Sequence, residues 1–200
     1  MRLLTTLFGS IALAGALSAC SLGGLLGGGK PPTTLQTLTP EAADPGALAR
    51  AVNAGQAVTI GTPTVPKELR TVRVPAQISA TDIQYVTGLQ WVDTPDKLFQ
   101  DLLEETVRRT TNRVVLDPNQ PSLDPGLVVT GQLQRFGYDT ASGQAVVVYD
   151  ASLSTEGGSR VEARRFTASA PADGSGASVG PALNHAANEV AAEVAKWIGG

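Results

Sequence analysis

The chain has 200 residues with 15 lysines and arginines, 18 aspartates and glutamates and a single cysteine, so its formal net charge is −3. A mildly acidic chain lacks the clustered positive charge that nucleic-acid binding needs, and one cysteine cannot form an intramolecular disulfide. Aromatic residues make up only 4%, while glycine and proline number 22 and 13, a composition that favours strands and turns over a helical bundle.

The first 20 residues have the pattern of a bacterial secretory signal, a basic start followed by an apolar run that ends at Leu17. The run is too short to span a bilayer, since about 15 helical residues reach about 22 Å against a hydrocarbon core of about 30 Å. The predicted cleavage motif consists of Leu17, Ser18, Ala19 and Cys20. A small residue before cysteine, with leucine three positions upstream, resembles the lipidation motif of bacterial lipoproteins. In those proteins the cysteine receives a diacylglycerol and an N-acyl chain; the alternative here is a cleaved signal with an incidental cysteine.

After the predicted signal peptide (residues 1–19), residues 20–34 are predicted to be the lipidated cysteine and a flexible stalk. The glycine-rich sequence and Pro31-Pro32 cannot bury enough surface to offset their ordering entropy. Gly24, Gly29 and Lys30 match most of a phosphate-binding loop, GxxxxGK. Pro31 stands where that loop needs a serine or threonine for magnesium, and the two prolines block the helix that would hold the phosphates. We therefore predict no nucleotide site.

Residues 35–200 are predicted to form one domain that begins with short strands. The candidate strands lie near Leu35 and at Ala57–Ile60, Thr71–Val74 and Ile83–Val86. Proline 75 would end the third strand, and Thr87-Gly88 would form a turn after the fourth. Repeated prolines predict edge or interrupted strands rather than a central ladder.

The clearest helix signal begins at Thr94-Pro95-Asp96. Threonine can cap a helix, proline suits its first turn and aspartate favours the positive end of its dipole. Apolar residues then recur every three to four positions, which predicts one broad apolar face. Glu104 and Glu105 each precede an arginine by four positions, as expected for surface pairs worth about 0.2–0.5 kcal/mol. The helix should end at residues 110–112.

The second half of the chain predicts more strands and a final helix. The candidates are Val114–Leu116, an antiparallel pair at Leu127–Phe136 and Ala145–Leu153, a strand at Arg160–Ala168 and a helix at Pro181–Ile198. This order predicts an α/β (α+β) fold, in which two main helices pack on a mixed or antiparallel sheet.

Candidates for chemistry are scarce. His185, the single histidine, falls with Asn188 and Glu189 on the polar side of the last helix, so we interpret it as a surface residue rather than a metal ligand. The chain has no G-x-S-x-G nucleophile, and its cysteine is assigned to lipid. We predict a non-catalytic protein without a metal or a cofactor other than the acyl groups on Cys20.

Four residues are candidates for docking a partner. Arg160, Arg164 and Arg165 form a basic cluster that suits lipid headgroups or a partner protein, or else a solvated strand edge. Trp91 precedes the first helix and is either a wedge that closes the core or an exposed anchor.

These features resemble the auxiliary lipoproteins of ABC-type transport systems, in particular the outer-membrane lipoprotein of the paraquat-inducible lipid-transport system. The resemblance is carried by Cys20, Leu35–Pro40, Val72–Pro75, Trp91–Pro95 and the apolar positions Leu98, Leu102 and Leu103. It implies an MCE-domain protein as partner, with the permease and the ATPase on other chains. It also implies transport of phospholipid or a hydrophobic solute between the inner and outer membranes.

The resemblance further implies a lipid-anchored protein that faces the periplasm. Ser21 rather than aspartate follows the lipidated cysteine, which in enterobacteria favours the outer membrane over retention in the inner membrane. Two other functions stay open: an assembly lipoprotein that braces an outer-membrane β-barrel, and a periplasmic carrier that holds lipid in its own cavity.

Overall fold

The computed structural model describes residues 34–47, 56–119, 126–155 and 160–199. All of them lie within the unit Pro32–Gly200. The predicted signal peptide, Cys20 and the stalk up to residue 33 lie outside the described residues. The strands are β1 (Ala57–Ile60), β2 (Arg73–Gln77), β3 (Ile83–Gln90), β4 (Val114–Leu116), β5 (Leu127–Asp139), β6 (Gln144–Ser154) and β7 (Val161–Pro171), and the helices are α1 (Pro95–Thr110) and α2 (Gly176–Gly199).

Within the described residues, the seven strands form one mixed sheet around the long strand β5. Strand β6 pairs antiparallel with β5, and β7 pairs antiparallel with β6. On the other side of β5, β1 pairs with its beginning and β2 with its end, both parallel. Strand β4 extends the sheet beyond β1, and β3 extends it beyond β2. The result is one broad sheet with β7 as its outer strand on the β6 side.

Both helices cover the same face of the sheet. Along β6 the alternate residues Ala145, Val147, Tyr149 and Ala151 are buried, as the period of two in a strand requires. Phe99 of α1 packs edge-on against Tyr149, with ring centroids 5.1 Å apart. Helix α2 packs on α1 and on β6 and β7. The predicted fold class, two main helices on a mixed sheet, is confirmed.

Several predicted elements agree closely with the structure. Strands β1 and β4 have the predicted bounds, and α1 ends at Thr110 as its sequence indicates. The predicted pairs Glu104–Arg108 and Glu105–Arg109 both form at 2.8 Å. Thr94 takes the cap position of α1, but its side chain makes no capping hydrogen bond.

Two strands continue through a proline or a glycine that was predicted to end them. Strand β2 continues through Pro75 to Gln77 and lies between β3 and β5, so the edge-strand alternative was wrong and the interrupted-strand alternative describes β2. The register shifts between Arg73 and Pro75, and proline is tolerated at such an irregularity. Strand β3 continues through the predicted turn at Gly88, whose φ of 74° supplies a conformation that glycine adopts without strain.

The two ends of the domain also differ from the prediction. Helix α2 begins at Gly176, five residues before the predicted start, and contains Pro181. Packing outweighs the hydrogen bond that this proline cannot donate, because Val179 and Leu183 on either side are fully buried. The predicted strand near Leu35 is only a single bridge between Gln36 and Trp91.

Candidate functional site

The segment Leu35–Ala42, here called the strap, is hydrogen-bonded to both helices. It begins beside Trp91, where the amide of Gln36 donates to the carbonyl of Gln90 and the carbonyl of Gln36 accepts from the amide of Val92, at 2.9 and 2.8 Å. It ends where the guanidinium of Arg109 on α1 donates to the carbonyl of Ala42, at 2.9 Å. The strap is therefore held near both of its ends by hydrogen bonds to the rest of the domain.

Two asparagines of α2, one helical turn apart, hold the strap. Asn188 accepts from the amide of Glu41 at 2.7 Å and donates to the carbonyl of Thr39 at 2.9 Å, while Asn184 accepts from the amide of Thr39 at 2.8 Å. Asn188 is only 6% exposed, so its placement on the solvent side of the helix was wrong. A carboxamide has both donor and acceptor groups and can therefore satisfy an extended backbone as a neighbouring strand would.

This role of the two asparagines was not predicted, although the sequence contains a signal for it. Asparagine is a poor helix former because its side chain competes for backbone groups. Two asparagines spaced by four in the alanine-rich helix α2 thus point to a non-helical backbone segment against that face.

His185 adds an ion pair to the same attachment. Its Nδ1 lies 3.0 Å from a carboxylate oxygen of Glu41 on the strap, and its Nε2 lies 3.6 Å from Glu189 on α2. The hydrogen bond and charge of Glu41 raise the pKa of His185 above its usual value, with a smaller contribution from Glu189. The side chain is 54% exposed, as expected for a surface histidine.

This ion pair predicts that the strap is held more firmly at mildly acidic pH. Because the folded-state pKa is raised, the stabilisation is complete below the unfolded pKa of about 6.5 and is lost as pH rises through the folded pKa. The chain has a single histidine, so one imidazole signal in an NMR titration reports this pKa. Glu41→Gln should move the pKa back toward about 6.5. An unchanged midpoint in that variant would contradict the assignment.

The three arginines of the predicted cluster lie at one edge of the sheet, here called the basic edge: Arg160 and strand β7. They do not form one cluster, because residues one apart in a strand point to opposite faces. Arg165 lies on the face without helices and donates two hydrogen bonds of 2.6 Å to Asp150 of β6. Those hydrogen bonds hold the pKa of Asp150 below its usual value.

Arg160 and Arg164 lie on the helix side of the basic edge. Arg160 forms an ion pair with Glu162, which also accepts from the indole of Trp197 at 3.4 Å. The guanidinium carbon of Arg164 lies 5.3 Å from the ring centroid of Phe166, and that ring packs on Trp197. Among the described residues, Arg164 has no carboxylate within ion-pair distance, so its positive charge is available to a partner.

Trp91 is part of the core. It is 1% exposed and packs edge-on against Phe136, with ring centroids 5.7 Å apart. Of the two alternatives for Trp91, the wedge that closes the core is therefore correct. Its ring is inaccessible and cannot contact a partner.

A pocket of about 330 Å³ opens beside the basic edge. Its apolar wall includes Leu127, Leu153 and Trp197, and its polar wall includes Arg113 and Arg160. The side chain of Arg113 also donates to the carbonyl of Ile198 at the end of α2, at 2.8 Å. The volume lies at the lower end of the range for pockets that hold drug-sized molecules, about 300–1,000 Å³, so two acyl chains do not fit.

The described parts of the chain contain no cluster of three metal-ligating side chains. No helix in those parts combines the length and the apolar character needed to cross a bilayer.

Residues 35–195 match the family model described as "ABC-type transport auxiliary lipoprotein component". The chain belongs to this family. The match begins at the strap and ends within α2, so it takes in the strap, the sheet and both helices. The resemblance inferred from Cys20, the strap sequence and the start of α1 is thereby confirmed at the level of the family.

Solved structures support the same fold for this auxiliary lipoprotein. Protein XCC0632 from Xanthomonas campestris, of the family DUF330, is 18% identical, with a TM-score of 0.67 over 82% of this chain and 94% of its own. A second, uncharacterized protein is 15% identical, with a TM-score of 0.62 over 75% of this chain and 96% of its own. A search of curated proteins found no significant match. At these identities the structural neighbours establish the fold alone.

Proposed function

We propose that this auxiliary lipoprotein is a non-catalytic subunit of an MCE-type ABC transport system that moves phospholipid or a hydrophobic solute between the inner and outer membranes. The family match over residues 35–195 is the observation that carries this proposal. Acyl chains on Cys20 anchor the protein in the outer membrane, and the domain docks the MCE-domain protein in the periplasm. ATP is hydrolysed on another chain.

The geometry supports docking over solute carriage. The pocket beside the basic edge holds about 330 Å³, which is too small for a phospholipid with two chains. By contrast, the basic edge presents a long strand and an arginine without a carboxylate partner to solvent. This pocket gives no support to the carrier alternative, whereas the basic edge supports a docking subunit.

Co-purification tests the proposal. The full chain, tagged after Gly200 and extracted from outer membranes in mild detergent, should recover the MCE-domain protein of its transport system. A matched control carries residues 1–34 on an unrelated soluble domain and should reach the same membrane without recovering that protein. If the control recovered the MCE-domain protein equally well, recovery would reflect only the shared membrane. That result would contradict docking by the domain. Recovery of an outer-membrane β-barrel instead would favour the assembly alternative.

A further inference from the structure

Strand β7 has a long unpaired edge. Its 11 residues pair with 11 residues of β6 in one continuous register, and no strand lies on its other side within the described residues. Proteins usually shorten, bend or cover such edges, because an exposed row of amides and carbonyls accepts another strand. The edge of β7 is neither short nor interrupted by a bulge.

The hydrogen bonds at both ends of the β6–β7 ladder show which residues face this free edge. The carbonyl of Arg160 accepts from the amide of Thr155, and the amide of Ala172 donates to the carbonyl of Gly143, both at 3.0 Å. Since bonding alternates along an antiparallel ladder, even-numbered residues of β7 bond to β6. Odd-numbered residues turn their amides and carbonyls outward: Val161, Ala163, Arg165, Thr167 and Ser169. Pro171 is also odd-numbered, so it removes no donor from the ladder.

The residues along the free edge carry a net positive charge, whereas the net charge of the whole chain is negative. Residues 160–171 contain three arginines and one glutamate, a charge of 3 − 1 = +2, in a chain whose net charge is −3. Glu162 and Asp150 compensate Arg160 and Arg165. Arg164 keeps an uncompensated charge among the described residues, held over the ring of Phe166. A carboxylate on an incoming strand would meet this guanidinium.

We propose that β7 accepts an extended, acidic segment of the partner subunit as an additional strand of the sheet. This inference rests on the proposed function in that the partner is the MCE-domain protein. Main-chain hydrogen bonds to the odd-numbered residues of β7 supply affinity, and a carboxylate facing Arg164 supplies selectivity.

Charge argues against two other occupants. A second copy pairing antiparallel through the first half of β7 would place arginines opposite arginines, which destabilises a strand pair. Residues 21–33 of the chain itself contain Lys30 and no carboxylate, so they do not complement the basic edge.

The test is amide hydrogen exchange, read residue by residue by NMR on the full chain in detergent, alone and with the MCE-domain protein. Exchange should slow at the outward amides from Val161 to Ser169. Ala163→Pro with Thr167→Pro removes two outward donors while leaving the β6 ladder intact, and should weaken the complex roughly tenfold or more. Ala163→Val with Thr167→Val keeps both amides and should bind as the native chain does; thermal unfolding confirms that both variants are folded.

Arg164→Glu should also weaken the complex, whereas Lys97→Glu, a charge reversal at an exposed position of α1, should not. A complex that forms equally well with the proline variant would overturn strand addition and leave the proposed function standing. Slow exchange that depends only on the concentration of this chain would identify a second copy as occupant and overturn the proposal.

Absence of any complex would contradict the proposed function, and the edge is then judged with a synthetic ten-residue peptide of alternating valine and glutamate. Slower exchange at the odd-numbered amides supports an acceptor edge for acidic strands, and unchanged exchange refutes it.

Discussion

An exported form of this auxiliary lipoprotein without Cys20 and without its signal is expected in the soluble periplasmic fraction rather than with the membrane. Each buried methylene contributes about 0.8 kcal/mol, so two or three acyl chains hold a protein on a bilayer almost permanently, and a serine cannot carry the thioether-linked diacylglycerol. No helix in the described parts of the chain would replace this anchor. Palmitate labelling and membrane fractionation measure the change.

Two variants keep this prediction testable. Cys20→Ser alone abolishes labelling, but an uncleaved signal would still hold the chain in the inner membrane. Replacement of residues 1–20 by a signal that is cleaved without lipidation gives an exported chain with no anchor. Ser21→Ala, which keeps the cysteine, should still be labelled and stay with the membrane. A labelled Cys20→Ser variant, or membrane retention of the unanchored chain, would refute lipidation at this position.

Asn188→Ala should lower the free energy of unfolding by about 2 kcal/mol, the largest effect that we expect from a polar substitution in the domain. The amide of Glu41 and the carbonyl of Thr39 lose their side-chain partners. Alanine is the better helix former, which offsets the loss by about 0.7 kcal/mol at most. The loss dominates because partly buried backbone groups are left without hydrogen bonds.

Denaturant unfolding measures this effect, and amide exchange locates it. The exchange of the Glu41 amide should quicken more than that of amides in β6, because the strap detaches before the sheet unfolds. Glu193→Ala, an exposed substitution on the same helix, should change stability by less than about 0.5 kcal/mol. A change of that small size in Asn188→Ala would show that the strap is held by other contacts.

Local sequence was sufficient to place some of the helices and strands. Helix α1 and strands β1 and β4 were placed closely, because their start and stop signals act within a few residues of the chain. The hairpin of β5 and β6 was also recognised from alternation around a short turn, although both strands are longer than predicted. Pro75 and Gly88 misled the prediction, since a neighbouring strand can stabilise a backbone that the local sequence disfavours.

Some residues of the candidate sites were also found from the sequence, whereas their arrangement depends on tertiary contacts. The three arginines were found from sequence, but their distribution over two faces of β7 depends on the pairing of Arg165 with Asp150. Asn184 and Asn188 were missed, because their partners on the strap lie more than 140 residues away in the chain. The free edge of β7 depends on strand order, which the sequence pattern left undetermined.

The sequence by itself determined the family resemblance and the helix-on-sheet class, and it carries the motif from which lipidation is predicted, since each depends on residues close together in the chain. Only the tertiary structure decided that the strap is fastened to α2, that Trp91 is inaccessible and that β7 is an outer strand of the sheet among the described residues. These properties depend on contacts between distant segments, whose free energies are comparable to the local preferences and can override them.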